Sequence, residues 1–277
     1  MRRGLNHGGY HGERIDIAAV VRETLAIAEA KGWEAEQLLA LEPAPVVALR
    51  RRSPASLNTP TRRVYLSAGI HGDEPAGPLV LRHMLQRDRW PNDAELWVCP
   101  CLNPTGFAAN RRENAAGRDL NRDYRHRESA EVRAHLDWLD RQSGFDLALC
   151  LHEDWEASGF YLYELNRTGR PSPAERVVEA VAGVCPIDHS PEIDGRAARA
   201  GIIRPALNPA VRPQWPEALY LIQYLTAHCF TLESPSDFIL SVRVAALERA
   251  IDVLLGIDAS EEARNPPGID GNRFAST

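Results

Sequence analysis

His71 and Glu74 stand three positions apart in the stretch "SAGIHGDEPAG", Ser67 to Gly77. An imidazole and a carboxylate at this spacing, where an apolar strand gives way to a helix, can reach one cation from a single turn. His152 closes a second apolar run, "LALCL", and can supply a third ligand from another strand end. Two imidazoles and one carboxylate with an open fourth position form the donor set of a catalytic zinc site. One such ion lowers the pKa of a water it holds towards ~7 and polarises a carbonyl oxygen. The H-x-x-E spacing alone says little. A second copy, "HSPE" from His189 to Glu192, lies between prolines at 186 and 191 with no apolar strand before it, and reads as a loop. Asp73, between the two ligands, has no ligand role in this reading and can orient a ligand imidazole.

Two further features need a reason. Glu233 lies in "HCFTLESPSDF", between an apolar strand and a proline. It reads either as a carboxylate near the start of the last helix or as a general base beside a metal-held water. Arg112, Arg118 and Arg122 gather with Asn110, Asn114 and Asn121 after the "ELWVCPCL" strand. Guanidinium groups bind a carboxylate in bidentate fashion and stabilise an oxyanion. Phosphate would suit them too, but no glycine-rich loop of P-loop spacing is present.

These residues must be brought together by the elements that carry them. Helical spacing runs from Ile15 to Lys31, and helices are also predicted over 74–87, 128–144, 172–184, 217–228 and 235–257. Strands are predicted at "PVVALRR", "RRVYLSAGI", "AELWVCPCL", "FDLALCLH", "GFYLYEL" and "HCFTLES". Near-continuous apolar strands alternating with helices predict an α/β domain, its mixed or mostly parallel sheet covered on both faces. Ligands bind such sheets beyond the carboxyl ends of the strands, where His71, Asn103, His152 and Glu233 all fall. With no linker between two cores, residues 1–277 are expected to form one domain, residues 1–60 an N-terminal layer of it, and 258–277 a loosely held tail.

The bulk numbers exclude more than they assign. The chain has 277 residues, 44% hydrophobic and 25% charged, with a formal net charge of −6. That gives no general pull towards nucleic acid or an anionic membrane surface. Five cysteines at uneven spacing suggest no disulfide framework. "CPC" at 99–101 lacks the second pair a metal site would need. The N-terminus has no apolar signal core and no run reaches membrane-spanning length, so the cytoplasm is the default.

"GIHGDEPAG", "NPTG" at 103–106, "RENAAGRDLNRDY" at 112–124, "LH" at 151–152 and "FTLES" ending about Glu233 together resemble the M14 zinc carboxypeptidases. The likeness spans roughly residues 63–255 and is nearest to compact bacterial members and the related succinylglutamate desuccinylase and aspartoacylase branch. The resemblance implies a mixed eight-stranded sheet between helices. It implies His71, Glu74 and His152 as zinc ligands and Arg112 as the group that polarises the scissile carbonyl. Asn121 and Arg122 would grip the substrate carboxylate. Glu233 would be the general base that activates a zinc-bound water. The expected activity is release of a C-terminal residue from a small peptide. The alternative is deacylation of an N-acyl amino acid, and a non-catalytic binding protein would lack a ligand or the base, which are all present. Asp123 replaces a frequent asparagine, and Glu153, Asp154 and Glu156 follow the third ligand where a small residue is common. Tyr220 and Tyr224 are candidates for the family's mobile tyrosine, although "EALYLIQYLTAH" reads as a packed helix.

Overall fold

The central strands are apolar along their whole length because helices cover both of their faces. The structure, a computed structural model, describes residues 13–54, 61–206 and 209–257. The expected loose tail at 258–277 lies outside the described residues. Strands are β1 (Glu34–Leu39), β2 (Val46–Arg51), β3 (Arg62–Ala68), β4 (Ala94–Cys99), β5 (Leu147–Asp154), β6 (Tyr161–Asn166), β7 (Glu192–Ile193), β8 (Arg196–Ala197), β9 (Ile202–Ile203) and β10 (His228–Pro235). Helices are α1 (Ile17–Ala30), α2 (Ala76–Arg87), α3 (Pro104–Ala109), α4 (Ala130–Leu139), α5 (Ala174–Val181), α6 (Glu217–Tyr224) and α7 (Leu240–Leu255). None of them is long and apolar enough to cross a membrane.

Eight strands form one mixed sheet in the order β1-β2-β4-β3-β5-β10-β6-β9. Its centre, β4-β3-β5-β10, is wholly parallel, as expected for strands joined through helices. Side chains alternate across it. Val64, Leu66, Leu149, Leu151, Phe230 and Leu232 pack under α2, α5 and α7. Tyr65, Ala148, Cys150 and Cys229 pack under α4 and α6. The same alternation sends His152 and Glu233 to the α4/α6 side, and they are direct register partners on neighbouring strands.

Three local differences from the sequence reading have physical causes. β1, "EAEQLL", was not predicted: it is a largely exposed edge strand of helix-forming residues, held by antiparallel pairing to β2. α7 starts at Leu240, so "ESPSD" finishes a strand and turns before the helix. Glu233 is therefore inside β10, which removes its reading as a helix-start carboxylate. The sequence reading places no strand at 192–197, where the structure has the β7–β8 hairpin; its two-residue turn is Asp194-Gly195, both at positive φ, a pairing that suits the twist of a tight hairpin.

The far end of β6 is pinned to β10 by Glu164, which accepts from His228 (3.0 Å), Ser172 (2.7 Å) and Arg204 (2.8 Å). Burial works to raise its carboxyl, but those three bonds outweigh it and bring the pKa down to about 2. A depressed carboxyl stabilises the fold above its unfolded value of ~4.3, and that share is lost as pH falls through the folded value. Glu164→Gln should cost about 2 kcal/mol at pH 7, allowing for the half-exposed Arg204. Thermal melts of variant and parent should converge between pH 4.5 and pH 2, roughly the window between the two pKa values.

Candidate metal centre and its cleft

The stretch after β3 turns sharply enough to aim His71 and Glu74 into one point. Gly69 takes φ +63°, and Gly72 lies so close to the α3 backbone that a Cβ would sit 2.0 Å from the Gly106 carbonyl carbon. Asn103 sews these turns together. Its amide donates to Ile70 O (3.2 Å) and Arg112 O (3.1 Å), while its side-chain oxygen takes the Gly106 N–H (2.9 Å) and caps α3. "NPTG" is thus a cap, a first-turn proline and a glycine where two backbones touch.

His71, Glu74 and His152 are all buried, and one ligand atom from each lies within 4.8 Å of the others. Glu74 Oε1 is 2.5 Å from His71 Nδ1 and Oε2 is 3.0 Å from His152 Nδ1. Burial would raise the Glu74 carboxyl, but the His71 and His152 charges hold it well below the usual range. Burial works against a charged His71 ring, yet Glu74 and then Asp119 raise its pKa. Two imidazole nitrogens and a carboxylate turned inward on one buried point fit a borderline-soft divalent cation.

Asp119 supports this arrangement, in the place that the sequence reading offered to Asp73. Its Oδ1 is 3.3 Å from His71 Nε2, and its Oδ2 takes the Arg112 Nε–H at 2.8 Å. A carboxylate on the outer ring nitrogen orients a ligand imidazole. Asp119 belongs to the quoted "RDLNR" motif, so its position was legible and its partner was not. Asp73 is on the cleft wall, where burial raises its pKa.

A cleft of about 710 Å³ opens over these three residues, and Arg112, Asn121, Arg122 and Glu233 all line it. Arg112 Nη1 is 3.3 Å from His71 Nδ1 and 3.8 Å from Glu74 Oε1. The Glu233 carboxyl is raised well above its ordinary range by burial, with His152 acting against the rise. Asn121 spends its side-chain oxygen on the Glu217 N–H at 2.8 Å, which leaves its NH₂ as the donor for the cleft. Glu217 is itself locked, taking the Tyr65 hydroxyl (2.7 Å) and the Ser67 hydroxyl (2.9 Å). Because Tyr65 donates there, it accepts from His135 Nε2, and His135 Nδ1 accepts from Tyr124. Burial brings the His135 pKa down to about 3, so the ring is neutral, as that chain requires.

The remaining candidates divide between the cleft and other parts of the fold. Glu153 points to the opposite face, where it pairs with the fully buried Arg243 and takes the Ala76 N–H at 2.6 Å. Asp154 is on the cleft wall and takes the Tyr161 hydroxyl at 2.9 Å; Glu156 is exposed at the rim. Asp123 accepts from Glu128 N, Ser129 N and the Ser129 hydroxyl, which organises the start of α4. Tyr220 is buried with its hydroxyl on Asp140, and Tyr224 is 60% exposed; neither lines the cleft. The tyrosines that do are Tyr161 and Tyr163, on β6. All five cysteines are buried and free.

Residues 60–190 match the family model of the succinylglutamate desuccinylase/aspartoacylase catalytic domain. A search of curated proteins finds no match. Among solved structures, a candidate metallopeptidase from Shewanella denitrificans OS217 superposes with a TM-score of 0.75 at 21% identity, covering 90% of this chain and 98% of that one. One from Shewanella baltica OS155 gives 0.74 at 24%, covering 87% and 92%. A metallo-carboxypeptidase from Pseudomonas aeruginosa, in complex with (2-guanidinoethylmercapto)succinic acid, gives 0.58 at 20%, covering 87% and 67%. The chain therefore has the fold of the metallo-carboxypeptidases, with the mixed, mostly parallel eight-stranded sheet and helices on both faces. Its central segment carries the catalytic-domain pattern of the related desuccinylase/aspartoacylase family. The resemblance drawn from the motifs stands at that level.

Two substitutions test the supports of the ligand cluster. Asp119→Asn should weaken the affinity for an added divalent cation about 10–100-fold, measured by competition with a chromophoric chelator. Gly72→Ala forces the Gly106 backbone away and should lower both the melting temperature and the affinity for an added divalent cation; unchanged values of both would show that this close approach does not set the geometry of the cluster.

Proposed function

We propose that the protein is a zinc-dependent amide hydrolase that cuts beside a free carboxylate, acting as a carboxypeptidase on small peptides. The observation that carries this reading is the placement of His71, Glu74, His152, Arg112, Asn121, Arg122 and Glu233 around one cleft. His71, Glu74 and His152 would hold one ion. When bound, zinc supplies Lewis-acid polarisation of a carbonyl and a lowered pKa for a water.

The chain's own groups supply the rest. Asn121 offers its NH₂ and Arg122 its guanidinium to the substrate carboxylate, which sets the adjoining amide against the ligand cluster. Arg112, held by Asp119, donates to the carbonyl oxygen as negative charge develops there. Glu233 takes a proton from the attacking water and delivers it to the leaving nitrogen. Its burial suits it to that task, since a raised carboxyl pKa favours handing the proton on.

A second reading, deacylation of an N-acyl amino acid, is favoured by the desuccinylase/aspartoacylase match over residues 60–190. The succinic acid derivative on the Pseudomonas aeruginosa neighbour is in line with a carboxylate-bearing ligand under either reading.

Zinc-loaded protein should hydrolyse short peptides with free C-termini and fail on the same peptides amidated; N-acetyl and N-succinyl amino acids run alongside decide between the two readings. No turnover of any of these would end the proposal. Glu233→Gln should lower kcat by about 10²–10⁴ with zinc content unchanged. Loss of activity and zinc together would assign Glu233 a structural part instead.

A further inference from the structure

A side-chain amide can turn either of its ends outward, and the two ends of Asn121 are not equivalent for a ligand. The NH₂ attracts a carboxylate; the oxygen repels it. A helix without a cap of its own settles which end faces the cleft. α6 begins after Pro216, which offers the first turn no side-chain acceptor. The N–H groups of a first helical turn need acceptors from outside the helix. Asn121 Oδ1 takes the Glu217 N–H at 2.8 Å, across 96 residues of chain. Asn121 thus caps α6 from another segment, and only its NH₂ is left for the cleft.

The place of that N–H is set from beneath. Both oxygens of the Glu217 carboxylate are taken by β3: Oε1 accepts from the Tyr65 hydroxyl and Oε2 from the Ser67 hydroxyl. These two residues share one face of the strand whose end leads to His71. The chain of bonds continues from Tyr65 through His135 to the Tyr124 hydroxyl. Tyr124 lies on the Asn121 loop, and its own N–H donates to Trp215 O at 3.3 Å, just before α6. The bonds therefore close a circuit that leaves Asn121 through Glu217 and returns at Tyr124. Asn121, Glu217, Tyr65, His135 and Tyr124 are all buried. Glu217 is 1% exposed and forms no ion pair among the described residues. Burial raises its carboxyl, and the Tyr65 and Ser67 hydroxyls work against the rise. A carboxylate is a costly way to fill such a space, where an apolar side chain would serve. What it adds is direction, because two occupied oxygens fix one geometry.

We infer that Glu217 is a positioning residue for carboxylate binding: anchored to β3, it holds the start of α6 where the helix N–H keeps the Asn121 NH₂ turned to the ligand. Glu217 does not line the cleft, so it acts through Asn121. The inference rests on the reading of Asn121 as a donor to the substrate carboxylate.

Calorimetry on the Glu233→Gln protein, in which turnover is suppressed, tests it with N-acetylalanine and N-acetylalaninamide. The pair differs only at the carboxylate. Glu217→Met fills the space without acceptors; it should weaken N-acetylalanine about tenfold and leave the amide within about twofold. Glu217→Gln keeps one acceptor, and Ser67 can accept from its NH₂, so the loss should be about threefold or less. In an Asn121→Ala background Glu217→Met should have no further effect, since both changes remove one contact. Chelator competition should show an unchanged affinity for an added divalent cation, which a general loosening of β3 would lower. Melting curves establish that each variant is folded, and Tyr65→Phe, expected to weaken the acid about threefold, serves if Glu217→Met is not. Equal binding of acid and amide before substitution, an equal loss for both, or additive losses in the double variant overturns the inference. The coupling to Asn121, found in a protein whose parent turns over neither peptides nor N-acyl amino acids, would keep the positioning role and remove the hydrolase reading.

Discussion

A carboxylate with only 7% of its side chain exposed must be met by positive charge or donors, and Glu74 is the group around which the cleft is arranged. It meets His71 on one oxygen; on the other it meets His152 and the Glu153 N–H, at 3.1 Å. The end of β3 and the end of β5 are thereby drawn to one point. Everything near it follows from keeping that point small: Gly72 against Gly106, Asn103 bridging three loops, and Asp119 holding His71 from outside while turning Arg112 inward. Parallel register then sets Glu233 beside His152 with no further device.

The surroundings separate charges that must stay still from charges that must act. Glu153 and Arg243 neutralise each other beneath α7, on the sheet face opposite His152. Such a pair adds little net stability compared with an apolar replacement, but removing one partner is costly, so it reads as an anchor for the start of α2. On the cleft side, Glu217 is occupied by Tyr65 and Ser67, and its N–H holds Asn121 in one orientation. Donors fixed before a ligand arrives cost less to organise during a reaction. Arg122, Arg196 and Arg212, which also line the cleft, form no ion pair with a carboxylate among the described residues.

Residue order along the chain was enough to announce an α/β sheet, because continuous apolar strands between helices have few other arrangements. It also exposed His71, His152, Asn103 and Glu233 as strand-end residues, with Glu74 one turn after His71, and the resemblance of the segment at 112–124 named Asn121 and Arg122. Local pattern could not reveal β1, whose exposed residues have no alternation and depend on β2 for their backbone bonds. Nor could it say which way Glu153 faces: adjacent residues on a strand point to opposite sides, so His152 and Glu153 separate only once the register is known.

Residue types and their spacing decided the donor set, since two imidazoles and a carboxylate suit a metal wherever they converge. Tertiary contact decided what surrounds that set. The 3.3 Å approach of Asp119 to His71, the role of Asp123 at α4, the burial of Tyr220, and the gathering of Arg122, Arg196 and Arg212 all join positions far apart in the chain or turn on the direction of one side chain. Their physical cause is long-range: hydrogen bonds and charges act through space, and the distances they act over are set by how the strands and loops pack, which no short window of sequence contains.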